Sequence, residues 1–185
     1  MATVYDIYHF NFISNRAQWF DCVSEEIDSL FLLACTMTDN VEVLFAKLDQ
    51  NAIAPTQGSK SAAGWDLRAL NATEVFKGKS TKIRTGLVVA IPEGWEGQIR
   101  SRSSLGAKGM IMPNGVGTID SDYRGELMVL ATWIGEGDSI KLAKGERIAQ
   151  MLIAPVPNTT YREVSLETLS KTERGEGGFG SSGRF

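Results

Sequence analysis

Glycine and proline punctuate only part of this chain. All 19 glycines lie at Gly58 or later and all five prolines at Pro55 or later, in a sequence of 185 residues. Between them stand short β-rich runs at 41–47, 80–91, 97–101, 127–133, 139–142 and 147–155. Each reads as a strand, closed off by breakers such as Pro92-Glu93-Gly94, Gly135-Glu136-Gly137 and Lys144-Gly145, whose backbones take turn conformations that a strand interior does not. A parallel βαβ fold needs a crossover helix between strands, and nothing in these intervals supplies one. The spacing therefore predicts an all-β sandwich or jelly roll.

Residues 1–40 have a different texture. An aromatic-rich start (Tyr5, Tyr8, Phe10, Phe12) predicts a short strand. Trp19, Phe20, Val23, Ile27, Leu30, Phe31 and Ala34 then follow the i, i+3, i+4, i+7 spacing of an amphipathic helix, with Asn15 and Gln18 as a capping pair. This extension reads either as an extra helix packed on the main domain or as a docking element for a protein partner. It carries one arginine and several acids and lacks a positively charged leader, so it resembles neither a transit nor a signal peptide. At the other end, 171–185 holds five glycines and, before its last residue, one large apolar side chain, Phe179. Such a stretch cannot fill a core and is expected to be mobile without a ligand. The predicted organisation is thus an extension at 1–40, a β-domain at 41–170 and a flexible Gly-rich segment at 171–185.

Composition narrows the chemistry. The formal net charge is −3 with no basic run, which argues against a nucleic-acid partner. The longest uncharged apolar stretch, 29–38, is too short to cross a bilayer, so no membrane association is expected. One histidine, His9, beside the N-terminus makes His-based triads and two-His metal sites improbable. Two cysteines, Cys22 and Cys35, are too few for a zinc site and read as reduced thiols of an intracellular protein. A general base in this chain would be a carboxylate.

Taken singly, the Gly-bounded polar segments are weak signals: a turn with an acidic face, a polar loop, a floppy tail. Their order changes that. Ala63-Gly64-Trp65-Asp66-Leu67-Arg68-Ala69 is followed by Arg102-Ser103-Ser104-Leu105-Gly106-Ala107-Lys108, then by Asn114-Gly115-Val116-Gly117-Thr118-Ile119-Asp120-Ser121-Asp122-Tyr123-Arg124-Gly125. Gly145-Glu146-Arg147-Ile148-Ala149-Gln150 and Arg174-Gly175-Glu176-Gly177-Gly178-Phe179-Gly180-Ser181-Ser182-Gly183 complete the series. In this order the segments resemble the five motifs of the homotrimeric dUTPases, over about three quarters of the chain. The departures are Trp65, where a smaller aromatic is usual, Ser104, where glycine is usual, and Ser101, where proline is usual.

The resemblance implies a dUTPase-like β-jelly roll, or clip barrel, with the N-terminal helical segment added. It also implies a homotrimer with shared sites that uses Mg²⁺ to convert dUTP and water into dUMP and pyrophosphate, limiting uracil in DNA and supplying dUMP for thymidylate synthesis. By the same resemblance Asp120 contacts the sugar 3′-hydroxyl and activates the attacking water, and Tyr123 packs under the deoxyribose. Asn114, Gly117, Thr118 and Ile119 belong to a β-hairpin that reads uracil, and Met128 adds to the substrate surface. Arg102, Ser103, Ser104 and Gln150 supply donors to the phosphates, Ser103 at the α/β bridge. Arg174, Ser181 and Ser182 hold the γ-phosphate, while Phe179 and Gly180 form the lid over the base. No direct metal ligand is expected: Mg²⁺ rides on the substrate phosphates, with Asp66 either reaching it through water or anchoring the Gly64 turn. These assignments suit the chemistry, because a chain without a net positive field needs local donors to hold a triphosphate.

Two other readings stay open on sequence alone. The related dCTP deaminases share an Arg-Ser-Ser-Leu segment like 102–105 but lack the Gly-rich lid. A regulatory binding protein on the same scaffold would place its added role in residues 1–40. The expected compartment is intracellular, cytoplasm or nucleus, or the host cell for a viral copy.

Overall fold

The structure, a computed structural model, describes residues 40–178. The helix expected within 1–40, and Phe179, Gly180, Ser181 and Ser182, lie outside the described residues.

Strand formation follows the two-residue period. In β10 (Met128–Trp133) the alternation buries Val129, Ala131 and Trp133, and in β7 (Trp95–Ser101) it buries Gly97 and Ile99. The longest strand, β12 (Arg147–Pro155), lies between β7 and β3 (Trp65–Arg68). Its register slips between Arg147 and Ala149, an irregularity at which Ile148 and Ala149, adjacent in sequence, are both buried. Together with β2 (Thr56–Gln57) and β9 (Gly117–Ile119) these form a five-stranded sheet in the order β2-β3-β12-β7-β9.

Three smaller sheets complete the fold. β10 lies between β5 (Thr81–Arg84) and β8 (Met110–Ile111), β4 (Thr73–Phe76) pairs with β11 (Ser139–Leu142), and β1 (Leu44–Lys47) pairs with β6 (Leu87–Ala90). Every strand pair is antiparallel. Between the sheets lies one core, with Leu67, Val75, Ile83, Leu87, Leu127, Val129 and Ile148 fully enclosed. Each such side chain contributes about 1.5–3 kcal/mol by leaving water. The all-β jelly roll expected from the spacing is the fold observed.

Three local expectations differ. The run at 80–91 is two strands, because the chain turns at Thr85 and Gly86, where Gly86 has φ +72° and sends β5 and β6 into different sheets. The Arg102-Ser103-Ser104 segment is no open loop: Ser103–Lys108 forms a short helix, α1, anchored by buried Leu105 and ended by Gly109. The segment 114–120 is not a hairpin. β8 joins β10 while β9 joins β7, so the segment passes from one sheet to another through a turn in which Gly115 N donates to Met112 O at 3.0 Å. Beyond β12 the chain is exposed apart from Gly177 and Gly178, and one turn of 3₁₀ helix (Leu166–Thr168) is its sole regular element among the described residues. Among the described residues no helix is long and apolar enough to cross a membrane.

Candidate active site

Asp66 organises the first cluster. It sits on β3 opposite Gln150 of β12, in the middle of the five-stranded sheet, and is one of two buried polar side chains among the described residues. A buried carboxylate persists only with matched donors. Asp66 has two cations beside it: Arg147 Nη1 donates a hydrogen bond to Oδ2 at 3.0 Å, and Arg102 Nε forms an ion pair with Oδ1 at 3.1 Å. Arg102 in turn donates from Nη1 to the Arg147 carbonyl at 3.1 Å, so motifs far apart in sequence lock into one unit. Gln150 donates to Ser101 O at 3.3 Å and lies against Gly64. Ser103 and Ser104 open α1 with exposed side chains.

In this cluster Asp66 is the counter-charge for two arginines. Its bonds run to Arg102 and Arg147 rather than to the Gly64 turn, and both oxygens are occupied. Sequence reasoning missed Arg147. The available signal was its place inside the fourth motif, three residues before Gln150. Asp66→Ala would leave two guanidinium groups sharing a site without a counter-charge. The expected loss is about 3 kcal/mol, read as a lower melting temperature. A carboxylate whose sole task was a water-mediated metal contact would leave the melting temperature unchanged.

A second cluster lies on the turn after β9. Asp120 is exposed, and its carboxylate has no hydrogen bond or ion pair among the described residues. Its carbonyl accepts the Tyr123 N–H at 3.1 Å. The Tyr123 side chain folds back over Gly125, where any Cβ would collide with the hydroxyl end of the ring, and its hydroxyl donates to Glu126 O at 3.2 Å. Arg124 closes the turn by donating to the carbonyls of Ser121 and Tyr123 at 2.6 and 2.8 Å. Met128, partly exposed, begins β10 beside this turn. Asn114 lies close to Gly117, and Thr118 and Ile119 pair with Gln98 and Gly97 of β7.

These clusters occupy opposite ends of β7. Ile119 faces Gly97, so Asp120 continues toward the Trp95 end, whereas Arg102 and Ser103 follow Ser101 at the other end. Ser101 lies four positions beyond Gly97 along β7, roughly 13 Å at ~3.3 Å per residue. The third group is Arg174 in the tail. Its Nε donates to Gly177 O at 2.8 Å and Gly177 N returns a bond to Arg174 O at 2.9 Å, so the described part of the tail bonds to itself.

Among the described residues no group of three or more His, Cys, Asp or Glu side chains lies together, and Asp66 is taken up by arginines. The described residues do not fit a protein-held Mg²⁺ cage.

Strand order and the placement of donors define the class: an antiparallel jelly roll with one charged cluster, on β3, β12 and the start of α1, near one end of β7 and a carboxylate-bearing turn near the other. A family model described as dUTPase matches residues 50–183. The deoxyuridine 5′-triphosphate nucleotidohydrolase of Rhizobium johnstonii is 47% identical over 134 residues, 70% of this chain and 84% of that protein. The protein of the same name from Nautilia profundicola is 47% identical over 139 residues, 75% of this chain and 96% of its own. Among solved structures, the dUTPase of Staphylococcus bacteriophage 80alpha with dUPNHPP is 29% identical, with a TM-score of 0.68 over 77% of this chain and 99% of that one. The chain belongs to the dUTPase family.

Proposed function

We propose that this chain hydrolyses dUTP to dUMP and pyrophosphate. The observation that carries the reading is the family match over 50–183, which contains every residue given a role above.

Asp120 is the general base. An exposed carboxylate free of partners can receive a proton from water and still accept a hydrogen bond from the sugar 3′-hydroxyl. Its water attacks the α-phosphorus in line, and pyrophosphate leaves toward Ser103 and Arg102, whose donors meet the developing charge. Asp66 holds Arg102 by its Nε edge and so fixes the direction in which the rest of the guanidinium points. Ser104 and Gln150 add neutral donors. Tyr123 supplies the wall that leaves no room for a 2′-hydroxyl, while Asn114 and the backbone of Gly117, Thr118 and Ile119 match the edge of uracil, with Met128 beside them. Arg174, Phe179, Gly180, Ser181 and Ser182 close over the triphosphate. Mg²⁺ would arrive on the phosphate oxygens and neutralise part of their charge.

The separation of Asp120 from Ser103 along β7 supports a site shared between copies. One phosphorus cannot be served by both groups from a single chain, so the base of one copy would complete the phosphate loops of another, with the tail of a third. The proposed assembly is a homotrimer. For residues 1–40 both readings stand, an extra helix packed on the domain or a docking element for a protein partner, and the compartment is wherever dUTP is formed, cytoplasm or nucleus.

The test is pyrophosphate release from dUTP, UTP, dCTP and dTTP with Mg²⁺, run on size-separated fractions. Turnover of dUTP alone, confined to the trimer, is expected. Ammonia released from dCTP, or full activity in a monomer, would overturn the reaction or the shared site respectively.

A further inference from the structure

The turn from Asp120 to Gly125 is fastened to the domain by a residue outside every role assigned above. We propose that Glu126 is a positioning residue for sugar selection, holding Tyr123 in place through the turn between β5 and β6. The inference rests on the reading of Tyr123 as the wall against a 2′-hydroxyl.

Glu126 links two turns. Its carboxylate accepts Arg84 Nε at 2.9 and 3.1 Å and the Gly86 N–H at 2.8 Å. The next residue extends the seam. Leu127 N donates to Leu87 O at 2.7 Å, and Leu127 O accepts the buried Thr85 hydroxyl at 2.7 Å. On its other side, the Glu126 carbonyl is the acceptor for the Tyr123 hydroxyl, and Tyr123 N reaches back to Asp120 O. The hydroxyl end of the ring is therefore bonded to the Glu126 carbonyl and seated against Gly125, where a side chain would displace it.

The Glu126 side chain is 12% exposed, and an apolar residue of similar size would be less costly to bury than a carboxylate. What a carboxylate adds is direction. It ties one backbone carbonyl to two donors on a turn already bent by Gly86, so that carbonyl cannot drift. Tyr123 is 40% exposed and has little packing to locate it otherwise. A steric wall that separates deoxyribose from ribose tolerates little movement, since a small shift of the ring admits one oxygen atom.

The experiment uses the full chain and compares kcat/KM for dUTP and UTP. Glu126→Ala is expected to lower the dUTP/UTP ratio about tenfold, with KM for dUTP rising more than kcat falls. Glu126→Gln keeps an acceptor for Gly86 N and should restore most of that ratio. Arg84→Gln guards against a folding defect, because the Arg84 side chain is 53% exposed, and should lower the ratio about threefold. Combining Glu126→Ala with Tyr123→Phe should lower the ratio no further than the larger single effect. Equal losses on both substrates, leaving the ratio unchanged in Glu126→Ala and Arg84→Gln alike, would overturn the proposal. A wild-type protein that already accepts UTP would instead overturn the reading of Tyr123.

Discussion

Asp120→Asn is expected to lower kcat for dUTP by about 10³-fold while leaving nucleotide affinity within about threefold. The amide matches the carboxylate in shape and keeps an oxygen for the sugar hydroxyl, but it cannot take a proton from water. The structure makes this a clean substitution. The Asp120 carboxylate holds no partner among the described residues, so its loss leaves no orphaned cation, and the melting temperature should move by less than about 0.5 kcal/mol would cause. Single-turnover measurements with dUTP, beside equilibrium binding of a non-hydrolysable analogue, separate the two quantities. Turnover within tenfold of wild type would remove Asp120 from the role of base.

Truncation after Leu169 should lower kcat at least about 10²-fold and leave the domain folded. No hydrogen bond joins residues 170–178 to the rest of the described chain. Their bonds are local, from Gly175 N to Thr172 and between Arg174 and Gly177. The melting temperature should therefore hold. Arg174 and the segment after it would act on the γ-phosphate, so the truncated protein should bind dUMP as the intact one does while losing affinity for dUTP. That contrast distinguishes a closing segment from a structural one. An unchanged rate would refute the lid.

Much of the fold was legible from local pattern. The strands at 139–142 and 147–155 match β11 and β12 residue for residue, because alternation and the flanking glycines are properties of a few consecutive residues. β3 and β4 were not foreseen. Trp65–Arg68 carries two charges in four residues, and only pairing with β2 and β12 makes Asp66 an interior residue. The short helix after Arg102 was also missed, although Lys108 followed by Gly109 is an ordinary helix ending. The supposed hairpin at 114–120 failed for a non-local reason. The strands on either side of the 112–115 turn, β8 and β9, pair with β10 and β7 and not with each other.

The candidate site divides along the same line. The order of the motifs supplied the chemical inventory: a carboxylate base in a chain with one histidine, serine and arginine donors, a tyrosine, and a glycine-rich tail. Those are matters of residue type and spacing, which the sequence carries by itself. Tertiary structure alone decided which carboxylate is neutralised and which has no partner among the described residues. Asp66 and Asp120 are both motif aspartates. β3 brings Asp66 beside Arg102 and Arg147, whereas the turn after β9 leaves Asp120 in solvent. It also decided that Asp120 and Ser103 stand at opposite ends of β7. The physical reason is register: strand pairing sets side by side residues as distant in sequence as Asp66 and Arg147, and no local pattern encodes which pairs will meet.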